Sequence, residues 1–392
     1  MKKLPLLLLG AAVAAPAAAQ QRAASVTVRA ENPLSVERPH ETLAFAWADL
    51  AGRIPGLAAD RVRAVDPATG AEILTQTLDV DGDNRPDSLL VLAAFWPKEA
   101  KLLRIEAAAP TQPAKPRVHA KYVPDRDDVA WESERIAFRT YGQGLWKLEP
   151  ETRSSGVDVW VKSTRNLVLD KWYAAGHDSY HVDKGEGADF YQVGLSMGMG
   201  GTAIYRDGQL FRALNFRRQR VVADGPIRAI LEMEYEPWDA GGVQVSETKR
   251  IQIDAGENLF RSTSVFRYDG GQELTYATGT VMRPQLVGTL AQDSAWAWMG
   301  TWGPIERAAH GHGQLGSVVM VPRSAAREMK QAANHYLVTA PVRSGVPVVH
   351  YAGAGWTDSG DYPHPETWWA YVADFADRME HPVRLTVQPA AR

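Results

Sequence analysis

The chain has 392 residues, 43 basic against 46 acidic side chains for a formal net charge of −3, thirteen tryptophans and no cysteine. The charge balance excludes a surface built to wrap a polyanion, so nucleic acid is not an expected partner. The missing thiols exclude disulfides, a lipidated cysteine and thiol chemistry, and they leave stability to a large apolar core.

The first segment, MKKLPLLLLGAAVAAPAAAQ, sets Lys2 and Lys3 before a short apolar run and small residues at Ala17 to Ala19. It reads as a secretory signal peptide over residues 1–19, cut near Gln20, which predicts an exported protein, periplasmic or secreted. Pro16 interrupts that run, and no later one reaches the roughly 20 apolar residues of a membrane helix, so no membrane span is expected.

Residues 20–106 alternate and turn often, as in SVTVRAENP and SLLVLAAF, and predict a small N-terminal β-region. Within it DVDGDNRPD places Asp79, Asp81, Asp83 and Asp87 at positions one, three, five and nine of a calcium-type loop. Alternating hard oxygen donors can wrap one calcium ion, although the bidentate acid at position twelve is Leu90 here, and an Asp/Gly hairpin explains the same residues. Residues 107–117, AAAPTQPAKPR, carry three prolines without apolar periodicity and predict an exposed connector.

From residue 118 to 392 strand signals recur at short spacing, among them RIAFRTYG, GVDVWVKS, AILEMEY and ETKRIQID. One polar and one apolar face per strand predicts large antiparallel sheets packed as a sandwich, with few helices. One helix is expected at Ser324–Tyr336, from its Ala, Arg and Lys content and an N-cap serine.

The segment YHVDKGEGADFY falls between strand signals and gathers proton-transfer groups. His177, Tyr180, His181, Lys184, Glu186, Asp189 and Tyr191 lie within fifteen residues, and Gly185 and Gly187 permit a sharp turn about Glu186. His177 and His181 have the four-residue spacing of a helical zinc pair, but a glycine-flanked stretch with little helix propensity argues against zinc there. His310 and His312 form a weaker pair between glycines. Arg217, Arg218 and Arg220 lie in a strand, where one guanidinium can take a carboxylate bidentately. Near the C-terminus His350, Tyr351, Trp356, Trp368 and Trp369 can form a sugar platform or an apolar edge. No P-loop is present.

The runs DDVAWESERIAFRTYGQGL, SGVDVWVKSTRNLVLDKWY, YHVDKGEGADFYQVG with GGTAIYRDGQL, and GPIRAILEMEYEPW resemble the exported bacterial family called domain of unknown function 4861. The likeness runs from about residue 25 to the end and is most specific over residues 173–204. It implies a galactose-mutarotase-like supersandwich and a role in the use of polysaccharides, often pectin or other uronate-containing glycans. Such sandwiches also resemble domains of polysaccharide lyases, a fold-level analogy. The resulting expectation is β-elimination on an acidic oligo- or polysaccharide. His181 is the base, Tyr191 the acid or base partner, Lys184 and Arg217 neutralise the carboxylate, and Tyr180, His350 and Trp356 bind substrate. The alternatives are a glycoside hydrolase using Glu186 and Asp189, a mutarotase-like epimerase, and a non-catalytic glycan-binding protein.

Overall fold

A computed structural model describes residues 24–292, 295–305 and 311–389. The expected leader and His310 lie outside the described residues. The chain folds as the all-β protein expected: its sheet ladders are antiparallel, and α-helices are confined to Trp47–Ala51, Leu169–Ala174 and Pro365–Glu380 among the described residues. None of these is long and apolar enough to cross a membrane.

The sandwich has a nine-stranded sheet on one side, running in space from Phe216–Asp224 through Arg228–Tyr235, Gln244–Asp254, Leu259–Tyr268, Pro347–Trp356, Gln314–Pro322 and Trp296–Pro304 to Val287–Gln292, with the short ninth strand Trp238–Asp239 also paired to Gln244–Asp254. Two five-stranded sheets contribute to the same core. One centres on Ile136–Tyr141 and the other on Leu274–Val281. Residues from all three, such as Phe138, Phe260 and Tyr276, share one apolar cluster. The period of two explains the arrangement: in Gln244–Asp254, Val245, Glu247, Lys249, Ile251 and Ile253 are buried while the residues that alternate with them are partly or fully exposed.

The outer face of the large sheet is covered by helix Pro365–Glu380, which buries Trp368, Val372 and Phe375 against Trp298, Val318 and Met320. Pro365 at the first helical position and a capping box between His364 and Thr367 start that helix. Trp131, Trp160, Trp356 and Trp368 are all fully buried, so the tryptophan excess serves packing at these positions.

The helix expected at Ser324–Tyr336 is instead a β-hairpin. Glu328–Ala332 pairs with His335–Val342 through a two-residue turn in which Ala333 and Asn334 have φ of 47° and 60°. Pairing with a long strand of the sheet outweighs the weak helical preference of the Ala- and Lys-rich stretch.

Near the N-terminus, Ser25–Glu31 pairs with Ala100–Glu106 on one side and with the C-terminal strand Arg384–Val387 on the other. This small sheet therefore takes residues from both ends of the chain. The Gln76 side chain accepts from the amides of Ile227 and Arg228 and donates to the Arg228 carbonyl, tying the N-terminal strands to the sandwich. Residues 109–116 are exposed and irregular.

Candidate functional site

The sheet centred on Ile136–Tyr141 buries both of its faces. Val129, Trp131, Phe138, Val159 and Val161 enter the main core. The alternate positions, Asp128, Ala130, Glu132, Ala137, Arg139, Asp158, Trp160 and Lys162, are buried as well, because residues 163–190 fold over them. Lys162 pairs with Glu132 at 2.7 Å, and Glu132 also accepts the amides of Val168 and Leu169 at the start of helix Leu169–Ala174.

Arg139 is the centre of this covered face. It donates to Asp158 at 2.6 Å, to Asp189 at 2.8 Å and to the Tyr180 hydroxyl at 3.0 Å, and lies 3.7 Å from Asp128. Its guanidinium stands 5.0 Å from the rings of Tyr141 and Trp160. Arg139 bonds two of these three buried carboxylates, whereas Asp128 stands 3.7 Å from it and 3.6 Å from Arg126. Burial pushes Asp128 up to about 7, against the pull of Arg139 and Arg126.

At the rim of this face the loop turns back on itself. His181 is nearly buried, with Nδ1 3.2 Å from Asp189 Oδ2 and 3.1 Å from the Asp189 carbonyl, while Nε2 lies 3.4 Å from His177 Nε2. His177 Nδ1 is 3.4 Å from Asp178, and its Nε2 is 3.6 Å from Glu149 Oε1, to which Arg126 donates at 2.5 Å. Desolvation and then the charge of Arg126 hold the His177 imidazole below its ordinary value. Burial pushes Glu149 up, but the Arg126 bond outweighs it and leaves that carboxyl below the usual range.

Beyond this turn, Asp183 Oδ1 accepts the amides of Gly185, Glu186 and Gly187, and its Oδ2 lies 3.0 Å from His312 Nε2. His312 Nδ1 in turn meets Asp358 at 2.7 Å. Gly187 has φ +101°, and a Cβ there would lie 2.1 Å from the Val161 carbonyl oxygen, so only glycine lets the loop rejoin the sheet.

His181, Asp189 and Tyr180 thus meet around Arg139. Tyr191 lies two residues beyond Asp189, its ring 5.6 Å from the Arg283 guanidinium. Glu186 instead pairs with Lys171 at 2.6 Å, so it does not oppose Asp189 as a hydrolase pair would. Lys184 donates to Ser179 within its own loop. Arg217 is exposed and pairs with Glu236 at 3.2 Å, on the edge strand Phe216–Asp224 rather than in the loop.

His350 and Trp356 are not surface binding groups. His350 is fully buried between Tyr276 Oη at 2.5 Å and the Gly200 carbonyl at 2.9 Å, and burial lowers its pKa to about 3. Trp356 is 2% exposed and donates to the His312 carbonyl. Both belong to the inner face of the large sheet, where the strand Pro347–Trp356 is central rather than an edge.

In the Asp79–Asp87 loop, one oxygen each of Asp79, Asp81 and Asp87 lie within 4.8 Å of one another, whereas Asp83 accepts the Arg85 amide and stands outside that group. Asp79 also accepts the amides of Gly82 and Asn84, so the carboxylates build the turn themselves. A separate polar cavity of 210 Å³ lies between the N-terminal strands, the large sheet and helix Pro365–Glu380. Among its charges Arg228 pairs with Asp254 and Arg378 with Glu257, and burial followed by the nearby Arg117 lowers His40 to about 4.

Reading the sequence did not single out Arg126, Asp128, Arg139, Glu149, Asp158 or Arg283. A signal for Arg139 exists in IAFRTY, where a charge alternates with apolar residues in a strand followed by the aromatic-rich segment that covers it. Glu149 and Arg283 carry no comparable signal, since only the fold brings Glu149 to His177 and Arg283 to Tyr191.

Comparison with known proteins gives the chain its relatives. It is 28% identical over 404 residues to "Uncharacterized protein P7" of Formosa agariphila, covering 98% of each chain. It also resembles the solved structure of an alpha-mannosidase from Enterococcus faecalis V583, with TM-score 0.50, 10% identity and 94% of this chain covered. A protein in the glycosyl hydrolase family 38 from Enterococcus faecalis is similar with TM-score 0.51 and 9% identity. The chain spans about half the length of those solved chains, 46% and 48%, and at such identity the likeness is one of fold. The model of the family described as "Domain of unknown function (DUF4861)" matches residues 30–385, and the chain belongs to that family.

Proposed function

We propose that this is an exported enzyme acting on uronate-containing poly- or oligosaccharides, with its reaction centre at the rim formed by His177, His181, Tyr191 and Arg283, and that it works by β-elimination. The supporting observation is what converges on residues 189–191. Asp189 orients the His181 imidazole from one side, and two residues on, Tyr191 lies beside the Arg283 guanidinium.

β-Elimination removes the proton at carbon 5 of a uronate, breaks the bond from carbon 4 to the glycosidic oxygen and returns a proton to that oxygen. The carboxylate must be neutralised while charge builds at carbon 5. Arg283 offers the cation and Tyr191 a hydroxyl able to pass a proton in either direction. The expected base, His181, directs its outer nitrogen at His177 instead, so the proton-transfer role passes to Tyr191. A fold shared with domains of an alpha-mannosidase is consistent with a carbohydrate ligand.

The test is incubation of the purified chain with a panel of acidic oligosaccharides, following the ultraviolet absorbance of the unsaturated product and the release of reducing ends. Tyr191→Phe should lower the rate by about 10²-fold or more. New reducing ends without unsaturation would replace this reading by hydrolysis. Calorimetric binding without any product would replace it by glycan binding.

A further inference from the structure

The cavity of 210 Å³ beside helix Pro365–Glu380 is walled by three elements: the strand Arg38–Ala46, the outer face of the large sheet and the last turns of that helix. Met379 lines it and is 40% exposed, so the cavity opens to solvent beside the end of the helix.

The charges around this cavity do not cancel. Glu41 has Arg38 at 3.0 Å, Asp254 has Arg228 at 2.6 Å, and Glu257 has Arg378 at 2.7 Å. His40, held near 4 by burial and the nearby Arg117, is uncharged at neutral pH. Arg261 also lines the cavity, and among the described residues it pairs with no carboxylate. Its place follows from the period of two in Leu259–Tyr268: Phe260 enters the main core, so Arg261 stands on the opposite, outer face, half-buried. Its cross-strand neighbours are Gln252 and Tyr351, which line the cavity with it, and its charge opposes the burial that raises the Tyr351 phenol.

A half-buried guanidinium with no counter-charge favours an incoming anion, and its planar fork offers a carboxylate two parallel donors. Beside it the Thr42 and Tyr351 hydroxyls and the Gln252 amide can meet hydroxyl groups, while Leu259 and Phe375 give an apolar wall for the carbon face of a ring. The volume holds about seven water molecules at about 30 Å³ each. It falls short of the roughly 300 Å³ at which pockets for larger ligands begin, so it suits one ring and not a chain.

We propose that this cavity binds a small monoanionic hydroxy-acid of the size of a single sugar acid, with its carboxylate on Arg261 and its hydroxyls on Thr42, Tyr351 and Gln252. Such a ligand would join the N-terminal strands to the sandwich. Neither Tyr191 nor Arg283 lines the cavity, so the site does not rest on the β-elimination reading.

The test is calorimetric titration of the full chain with D-glucuronate, D-glucose and inorganic phosphate in separate arms, together with thermal melts. Glucuronate should bind, should bind less tightly in added salt, and should raise the thermal midpoint as its concentration rises. Glucose has the ring without the charge and phosphate the charge without the ring, and each should bind at least about 10-fold more weakly. Arg261→Gln should lose about 10-fold or more of the glucuronate affinity, and Arg261→Lys, which keeps the charge without the fork, part of it. Because Arg261 holds no carboxylate, its replacement strands no buried charge, and Arg261→Gln without ligand should melt at or above the temperature of the parent. Arg283→Gln should leave this binding in place.

The proposal is overturned if glucuronate does not bind at millimolar concentrations, if Arg261→Gln binds it as tightly as the parent, or if glucose or phosphate binds as tightly as glucuronate. Binding that is lost in Arg283→Gln but kept in Arg261→Gln would also overturn it, and would leave uronate recognition at the Tyr191 rim standing.

Discussion

Replacing Arg139 by leucine removes the cation that pairs with Asp158 and Asp189 on the covered face of the sheet. The side chain leaves behind Asp158 and Asp189, which it reaches at 2.6 and 2.8 Å and which are both essentially inaccessible to water. Tyr180 loses its donor at 3.0 Å. Breaking a buried pair from one side costs about 3–5 kcal/mol, because the remaining charge loses its closest cation where solvent cannot replace it. The loss of a second carboxylate's partner and of the ring contacts puts Arg139→Leu at the upper end of that range. The assay is urea unfolding followed by the fluorescence of Trp160, which stacks on Tyr180 at 4.6 Å and reports on this face.

The cost should also depend on pH, with a sign that follows from the charges. In Arg139→Leu, a carboxyl group buried without its guanidinium partner favours its neutral form more in the folded chain than in the unfolded one. The folded variant then binds more protons than the unfolded chain, so its stability is greatest in acid and falls as pH rises. The gap between variant and parent should therefore widen from pH 5 to pH 8. A variant within about 1 kcal/mol of the parent, or one whose deficit does not change with pH, would refute the view that Arg139 neutralises these carboxylates.

Acid should destabilise the parent through His350 and His40, whose folded values near 3 and 4 lie below the unfolded value of 6.5. Below pH 6.5 the unfolded chain takes up protons that the folded chain refuses, so each histidine lowers stability by about 1.4 kcal/mol per pH unit until its folded value is reached. His350→Gln should flatten the slope of unfolding free energy against pH in that window; an unchanged slope would rule out its contribution. Gly187→Ala should lower the thermal midpoint through about 1–3 kcal/mol of backbone strain plus the clash with Val161, and equal midpoints would refute the argument. Trp368→Ala, in the contact between helix Pro365–Glu380 and the large sheet, should cost about 3–5 kcal/mol by chemical denaturation. Asp79→Ala removes the acceptor of two turn amides and should cost about 1–3 kcal/mol; a neutral result would mean that other groups or water hold the turn.

The candidate site was legible in part. The loop from His177 to Tyr191 stands out by residue type alone, and it does lie over a charged face. The roles differ, however, because a carboxylate's partner depends on where neighbouring strands put their side chains. Glu186 and Asp189, three residues apart, turn to opposite partners, Lys171 at the surface and Arg139 in the interior. His350 and Trp356 look like binding groups beside glycines and acids, yet their strand sits centrally in the large sheet, which closes over them.

The all-β class, the alternation of faces and the antiparallel sandwich follow from the sequence by itself, since the period of two and the turn residues are local properties of the chain. Three outcomes belong to tertiary structure. The stretch around Glu328 becomes a hairpin because His335–Val342 offers it a ladder. Arg139 becomes the centre of a buried network because residues 163–190 fold over its strand. His177 and His181, read as an unlikely metal pair for want of a helix, meet at 3.4 Å because turns anchored through Asp189 and Asp183 hold the loop against the sheet. In each case the deciding partner is remote in sequence or fixed by packing, and local residue preference carries no record of it.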